Sequence, residues 1–338
     1  MLNTLKIDKS PGPDELHPRV PKEISSSITK PLYHIFKQSL DKGKLPSDWK
    51  TAIVSAIFKK GNKSLASNYR PVSLTSVVCK IMEKLVRKHI LNHMKSQNLF
   101  TKRQYGFIYV RSTSLQLLEV LDKWTEALDN GHYVDCIYMD FQKAFDKVPH
   151  KRLLEKIKSY GIVGPTLSWI EDFLLNRSQK VLLNGAGSEW ENVTSGIPQD
   201  SVLGPILFVI YINDLPDTVE SDSYLFADDT KIFRISKGED DKETLQDDLT
   251  KLEEWSDKRL FKFHPEKCKH MKISKSKNEE TNSYKLLGQD IETVTQEKVI
   301  GVIIDSELTF ENHLCEKVTK ATSIFAAMRR TFRYLDTK

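Results

Sequence analysis

The acidic pair Asp228-Asp229, set between Tyr224-Leu225-Phe226 and Ile232-Phe233, constrains this chain more than any other feature. Apolar, β-favouring residues on both sides of a short acidic tip predict two strands meeting at a tight turn. Adjacent carboxylates at such a tip repel each other unless a divalent cation neutralises them. An isolated Asp-Asp pair is more often a solvated turn. A third carboxylate far upstream changes that balance. Asp140 closes the run Tyr133-Val134-Asp135-Cys136-Ile137-Tyr138-Met139, which predicts a strand buried on at least one face. A carboxylate at the end of a buried strand is costly without a partner or a task. Two strands delivering Asp to one place from 88 positions apart (228 minus 140) would form an oxygen cage for Mg²⁺. Such a cage supports two-metal phosphoryl or nucleotidyl transfer.

The bulk properties are compatible with that chemistry without requiring it. A chain of 338 residues can bury a sizeable core and should hold two or three domains or subdomains. With 39% hydrophobic and 29% charged residues it falls in the soluble globular class, and a net charge of +5 suits a phosphate-bearing partner. Cys79, Cys136, Cys268 and Cys315 show no Cys-x-x-Cys spacing, which argues against a zinc site or a disulfide framework. The longest apolar stretch, Val202 to Ile212, is about half a membrane span and contains Gly204 and Pro205. The N-terminus has no signal-peptide core, so the glycosylation-type triplets at Asn62, Asn176 and Asn192 are chance matches. An intracellular protein with no membrane partner is expected.

Residues 10–18, with three prolines and a glycine, predict an extended, turn-rich start. Ile28, Leu32, Ile35, Phe36 and Leu40 share one side of a helix. Alternation over 52–58 predicts a strand turned by Lys59-Lys60-Gly61-Asn62, and helices are expected at 76–97 and 113–129. A hairpin is expected at Asn184-Gly185, between Lys180–Leu183 and a run containing Trp190. Leu245, Leu249, Leu252 and Trp255 repeat at helical spacing. Residues 272–293 read as loop-rich, and Val299-Ile300-Gly301-Val302-Ile303-Ile304 as a strand. A last helix, roughly 311–334, ends in Arg329, Arg330 and Arg333.

Several ordered blocks carry a family resemblance. They are Lys9-Ser10-Pro11-Gly12-Pro13-Asp14, Trp49-Lys50, Asn68-Tyr69-Arg70-Pro71-Val72-Ser73-Leu74, Asp140-Phe141-x-Lys143-Ala144-Phe145-Asp146, Ser195-Gly196-Ile197-Pro198-Gln199, Phe226-Ala227-Asp228-Asp229 and His313-Leu314. Together they resemble the reverse transcriptase of LINE-type (non-LTR) retrotransposons, of the jockey-like branch, over nearly the whole chain.

The resemblance implies an α+β right-hand polymerase with the thumb truncated. Residues 1–130 would form the fingers, 131–305 the palm (with 148–190 able to return to the fingers), and 306–338 the start of the thumb. It implies RNA-directed DNA synthesis on a primer 3′-OH. Two Mg²⁺ ions, with Mn²⁺ as a substitute, would be held by Asp140, Asp228, Asp229 and the Phe141 carbonyl. Lys267, in Phe263-His264-Pro265-Glu266-Lys267, would assist the pyrophosphate leaving group. Lys60, with Lys59 beside it, and Arg70 would grip the triphosphate, since phosphate oxygens favour Lys and Arg. Phe145 would exclude a 2′-hydroxyl, and Gln199 would lie near the template and incoming base. Phe100, Tyr105 and Phe107, standing among Lys102, Arg103 and Arg111, suit a template strand or an ordinary core equally well. RNA template, DNA primer and dNTP would be the partners, in nucleus and cytoplasm. The family's endonuclease and full thumb are expected to be missing segments of a longer element protein.

Three positions depart from the family pattern. Asp200 stands where glycine is usual; glycine has no side chain to meet template or primer and allows a positive φ, whereas aspartate adds bulk and a charge repulsive to phosphates. Tyr109-Val110 also stand where glycine is usual, and His264 replaces an asparagine. These departures leave an alternative expectation, a catalytically inactive nucleic-acid-binding remnant.

Overall fold

The computed structural model describes residues 1–183, 185–238, 240–276 and 282–332. The chain forms two compact units interleaved in sequence: Met1–Tyr109, Phe141–Pro216 and Trp255–Lys262 make the first, and Val110–Asp140, Asp217–Glu254 and Phe263–Lys338 the second. Both mix helices and sheets, giving the α+β class expected from the sequence.

The second unit is built on one five-stranded sheet. Its strand order is Glu292–Thr293, Lys269–Ile273, Tyr133–Met139, Asp229–Ser236 and Asp222–Phe226. Tyr133–Met139 occupies the middle and pairs antiparallel with both neighbours. Val134, Cys136 and Ile137 are wholly buried, so both faces of this strand are covered. The mainly apolar run of the sequence reflects that double burial. Asp222–Phe226 and Asp229–Ser236 form the expected hairpin, closed by Ala227 and Asp228, with Ala227 at φ 56°.

A strand covered on both faces can carry charge only where partners wait for it. Asp135, 2% exposed, meets three donors. His270 Nε2 donates to Oδ1 at 2.8 Å, while Asn282 Nδ2 and Tyr284 Oη donate to Oδ2 at 2.7 and 2.8 Å. Burial opposes the charge, but hydrogen bonds led by that from His270 outweigh it and hold the carboxyl below its ordinary range. The helix Asp240–Arg259 begins beside the same sheet, where Asp241 accepts from Arg234 Nε at 2.7 Å; its Leu245, Leu249 and Leu252 are fully buried.

The first unit carries a second five-stranded sheet. Thr51–Phe58 lies antiparallel to Tyr69–Leu74 and parallel to Arg177–Leu183. Arg177–Leu183 also pairs with Ala186–Gly187 and Glu191–Val193. These pairings give the expected hairpin, although Asn184 itself lies outside the described residues. The expected helices are Ser25–Lys42, Val77–Ser96 and, in the second unit, Thr113–Asp129. Ser76 and Ser112 cap the latter two by accepting N–H bonds from Cys79 and Leu115. The apolar stretch near 202–212 becomes the helix Gly204–Ile212, almost entirely buried. Its start is fixed by Glu83, whose Oε2 accepts from the N–H groups of Val202 and Leu203 at 2.7 and 2.9 Å. Among the described residues, no helix is long and apolar enough to cross a membrane.

Two sequence expectations are refined. The run 299–304 is a hairpin rather than one strand, with Gln296–Val299 antiparallel to Val302–Asp305 and the turn at Ile300-Gly301. Both turn residues have positive φ, 49° and 88°, which suits a two-residue hairpin loop. The last helix is Glu311–Thr331, and Arg333 lies outside the described residues. Residues 277–281 of the region read as loop-rich also lie outside them, while its described part forms only short strands.

Replacing Asp135 by Asn should cost about 3 kcal/mol, because it leaves buried donors of His270, Asn282 and Tyr284 imperfectly matched. Asp135 has a lowered folded pKa. Its contribution is therefore complete above the unfolded value near 4 and lost as pH falls through the folded one. Urea denaturation of both proteins between about pH 3 and 7 should show their stability difference shrinking only at the acid end.

Candidate active site

Sheet register brings the acids together. Met139 pairs with Thr230 and Tyr138 with Lys231, so one step further along the two strands Asp140 comes opposite Asp229. Asp228 occupies the turn immediately before Asp229. Asp140 and the Asp228-Asp229 pair, far apart in sequence, are thus brought to one end of the second unit's sheet.

Their charges interact. The Asp229 carboxyl is raised to about 6, by burial first and then by the negative charges of Asp228 and Asp140. Its side chain keeps an exposed surface open to water. Asp140 has a cation already: Lys267 Nζ lies 2.9 Å from Oδ2. Both side chains are more than a third exposed, which makes this pair weak and exchangeable. Lys267 is presented by a short turn, Pro265–Lys267, tied to the central strand where the N–H of His264 donates to the Asp140 carbonyl at 2.8 Å.

Among the described residues, no three His, Cys, Asp or Glu side chains stand as a group able to hold a metal ion. The donor set nevertheless has the chemistry a hard cation needs. It consists of carboxylate oxygens under mutual repulsion, with an ammonium group against one of them.

Beside the acids is a cavity of about 220 Å³, reaching from Asp140, Asp229 and Lys267 to the hairpin residues Val299 and Ile300. Gln116, Tyr138 and Lys231 line its buried side. Burial pushes the Lys231 ammonium down to about 8, against the opposing pull of Cys136 and Asp229. It drives the Tyr138 hydroxyl upward. These three residues did not emerge from the motifs. Lys231 could have been noticed as a lysine in an apolar strand two positions after Asp229, hence on the same face. Gln116 gave no signal.

The first unit holds the remaining sequence candidates, Lys60, Arg70, Phe141, Phe145 and Gln199. Lys60 and Arg70 are exposed around the turn that joins Thr51–Phe58 to Tyr69–Leu74. Phe141 is buried, with its ring 4.6 Å from that of Phe261. Phe145 is half-buried and stacks on Phe208 at 4.7 Å. Gln199 Nε2 donates to Asp146 Oδ1 at 2.8 Å, and its carbonyl accepts from the Ser73 N–H at 3.1 Å. The segment 195–199 is therefore clamped onto the turn that carries Phe145. Ser195 Oγ and the Ile197 N–H reinforce the clamp by donating to the carbonyls of Asp146 and Phe145. Of the aromatic group suggested for a template strand, Tyr105 is buried, Phe100 is half-buried and Phe107 is exposed.

Asp200 has φ 67°, the left-handed conformation its usual glycine would adopt freely. Its carboxylate extends outward, with Oδ2 3.7 Å from Lys80 Nζ. Val110, where glycine is also usual, sits at φ 69°.

The profile of the family described as reverse transcriptase (RNA-dependent DNA polymerase) matches residues 57–301, and the chain belongs to this family. Among individual proteins it is 30% identical to the RNA-directed DNA polymerase from mobile element jockey of Drosophila melanogaster, covering 93% of this chain and 35% of that protein. It is likewise 30% identical to the jockey protein of Drosophila funebris, over 98% of this chain and 38% of the relative. The probable RNA-directed DNA polymerase from transposon X-element of Drosophila melanogaster is 28% identical over 93% of this chain. The non-LTR resemblance read from the motifs is the similarity these relatives display. The chain spans little more than a third of the length of the curated relatives it matches.

Replacing Asp200 by Gly should change folding stability by less than about 1 kcal/mol, because relief of left-handed strain is offset by greater freedom of the unfolded chain. Urea denaturation checks this, and a near-zero change would let any shift in nucleic-acid affinity be attributed to charge.

Proposed function

We propose that this chain is the polymerase domain of a non-LTR retrotransposon protein, extending a DNA primer with deoxynucleotides on an RNA template. The observation that carries the reading is the convergence of Asp140, Asp228 and Asp229 at one end of the sheet, within a chain of reverse transcriptase ancestry. In the right-hand description, the five-stranded sheet of the second unit is the palm, the first unit supplies the fingers, and Glu311–Thr331 begins the thumb.

Asp140, Asp228 and Asp229 would hold two Mg²⁺ ions, with the Phe141 carbonyl, next in the chain after Asp140, as a further oxygen. When bound, such ions lower the pKa of the primer hydroxyl and neutralise charge on the transferring phosphate. The protein's own part is electrostatic and positional. Repulsion among the carboxylates favours capture of a cation, and Lys267, exchangeable at Asp140, would be released to offer its charge and a proton to pyrophosphate. Lys60 and Arg70 would bind triphosphate oxygens. Phe145, fixed by its stack on Phe208 and by the clamped 195–199 segment, would present a rigid wall to the sugar 2′ position. Gln199 would face the template.

Primer extension on an RNA template with Mg²⁺ tests the proposal. Asp228→Asn should lower the rate on the order of a thousandfold, as expected for loss of a transition-state charge stabiliser. Lack of extension by the unmodified chain, with primer–template still bound in a salt-dependent way, would overturn it. If Phe145 acts as the sugar wall, Phe145→Val should reduce discrimination against ribonucleotides by about 10–200-fold. Competitive incorporation of matched ribo- and deoxynucleotides measures that ratio.

A further inference from the structure

The helix Gly204–Ile212 is started from a distance. Leu203, the residue before it, carries no capping side chain, and Ser201 Oγ accepts from the Gly204 N–H at 2.9 Å. The N–H groups of Val202 and Leu203 donate to Glu83, 119 and 120 positions away on the helix Val77–Ser96. Glu83 is fully buried. Burial raises its carboxyl, opposed by the Leu203 N–H, the charge of buried Arg177 and the Val202 N–H. A Ser, Thr, Asp or Asn just ahead of the helix would satisfy such N–H groups without burying a carboxylate. A local cap could not, however, fix that approach to another element.

The approach is the segment that carries Gln199. One continuous stretch of the first unit holds its main chain at two points. The Ser73 N–H, in the strand Tyr69–Leu74, donates to the Gln199 carbonyl at 3.1 Å, and Glu83 takes the N–H groups of Val202 and Leu203. Lys80, one turn before Glu83 on the same helix, lies 3.7 Å from Asp200, between those two points. The Gln199 side chain has its own anchor in Asp146 Oδ1 at 2.8 Å. There is little slack, since a Cβ on Gly204 would stand 2.5 Å from Ser201 Oγ and 3.1 Å from the Pro198 carbonyl oxygen. Glu83 thus acts on this segment from within the core.

We infer that Glu83 is a positioning residue for templated synthesis, holding Gln199 and the residues after it so that the templating base is presented in one register. This role rests on the polymerase reading and involves no contact of Glu83 with template, primer or nucleotide. A shift of about 1 Å, caused by a change remote from the chemistry, can cost on the order of a hundredfold in rate. Presentation of the base and activation of the primer hydroxyl belong to different residues. Loosening Gln199 therefore affects nucleotide selection more than the chemical step.

The test compares Glu83→Ala and Glu83→Gln with Asp172→Asn, which alters another buried carboxylate of the same unit, one that accepts from the Leu45 N–H. Hydrogen–deuterium exchange of the full chain, without metal, nucleotide or primer, should show protection of residues 199–203 falling at least about tenfold in Glu83→Ala, the loss expected for one charge-assisted hydrogen bond. Glu83→Gln, which keeps an acceptor but not the charge, should lose less, and Asp172→Asn should leave this segment unchanged. If Glu83→Ala does not fold, Glu83→Gln carries the comparison. In single-nucleotide insertion on an RNA template, the Glu83 variants should raise KM for the matched nucleotide severalfold and move kcat by less than about twofold. Their preference for matched over mismatched nucleotides should fall, while that of Asp172→Asn should not. Unmoved protection in a folded Glu83 variant would overturn the anchor and leave the polymerase reading intact. Lost protection with the selectivity of Asp172→Asn would overturn the role in synthesis. Absence of extension by the unmodified chain would sink the polymerase reading and this role with it, while exchange still showed whether Glu83 holds the segment.

Discussion

How a strand without a wet face carries negative charge governs the second unit. Tyr133–Met139 lies at the centre of its sheet, covered above and below, and bears one aspartate within it and another at its end. The period of two sends Asp135 and Asp140 to opposite faces. Three inward donors stabilise the charge of the first and tie the central strand to His270, Asn282 and Tyr284. The second emerges where the strand runs out, beside Asp229, with an exposed lysine as its counter-charge. One strand thus contains a charge tied by internal hydrogen bonds and another paired with an exposed lysine.

Much of this was readable in advance because buried strands and amphipathic helices leave periodic traces. Tyr133–Met139, the hairpin carrying Asp228-Asp229, and the helices beginning after Ser76 and Ser112 all have local causes, in apolar runs, turn chemistry and caps. Where the reading slipped, a residue's preference disagreed with its place. Val299–Ile304 is rich in strand formers, yet Ile300 occupies a turn position, and only Gly301 hinted at a reversal. Periodicity gave no sign that the two units interleave, since it reports which face is buried and not against what; only the family resemblance allowed 148–190 to return to the first part of the chain. The acids themselves were legible as motifs. Lys267 was singled out only through family resemblance, as a group for pyrophosphate, and its ion pair with Asp140 left no trace in the sequence, because a lysine in a basic chain looks like any other.

Departures from the family pattern take a common physical form. Asp200 and Val110 both have the left-handed backbone that glycine adopts freely. At Asp200 the added charge is turned toward Lys80 and is 62% exposed, so solvent and an ion pair both moderate it. The substitution therefore alters local potential more than local geometry.

Interleaving has a consequence for how the protein is made. Thr51–Phe58 needs Arg177–Leu183 beside it, and Thr51 pairs with Ser178, 127 positions later (178 minus 51). At ribosomal speeds of ~5–20 residues per second, that sheet edge waits about 6–25 s for its partner. Val54 and its neighbours leave the exit tunnel as an unpaired apolar margin, which is the kind of surface that aggregates or recruits chaperones. The centre of the other sheet has a similar wait, since Tyr133–Met139 precedes both its flanking strands. Translation pace, as much as equilibrium stability, will therefore govern how much soluble protein each messenger yields.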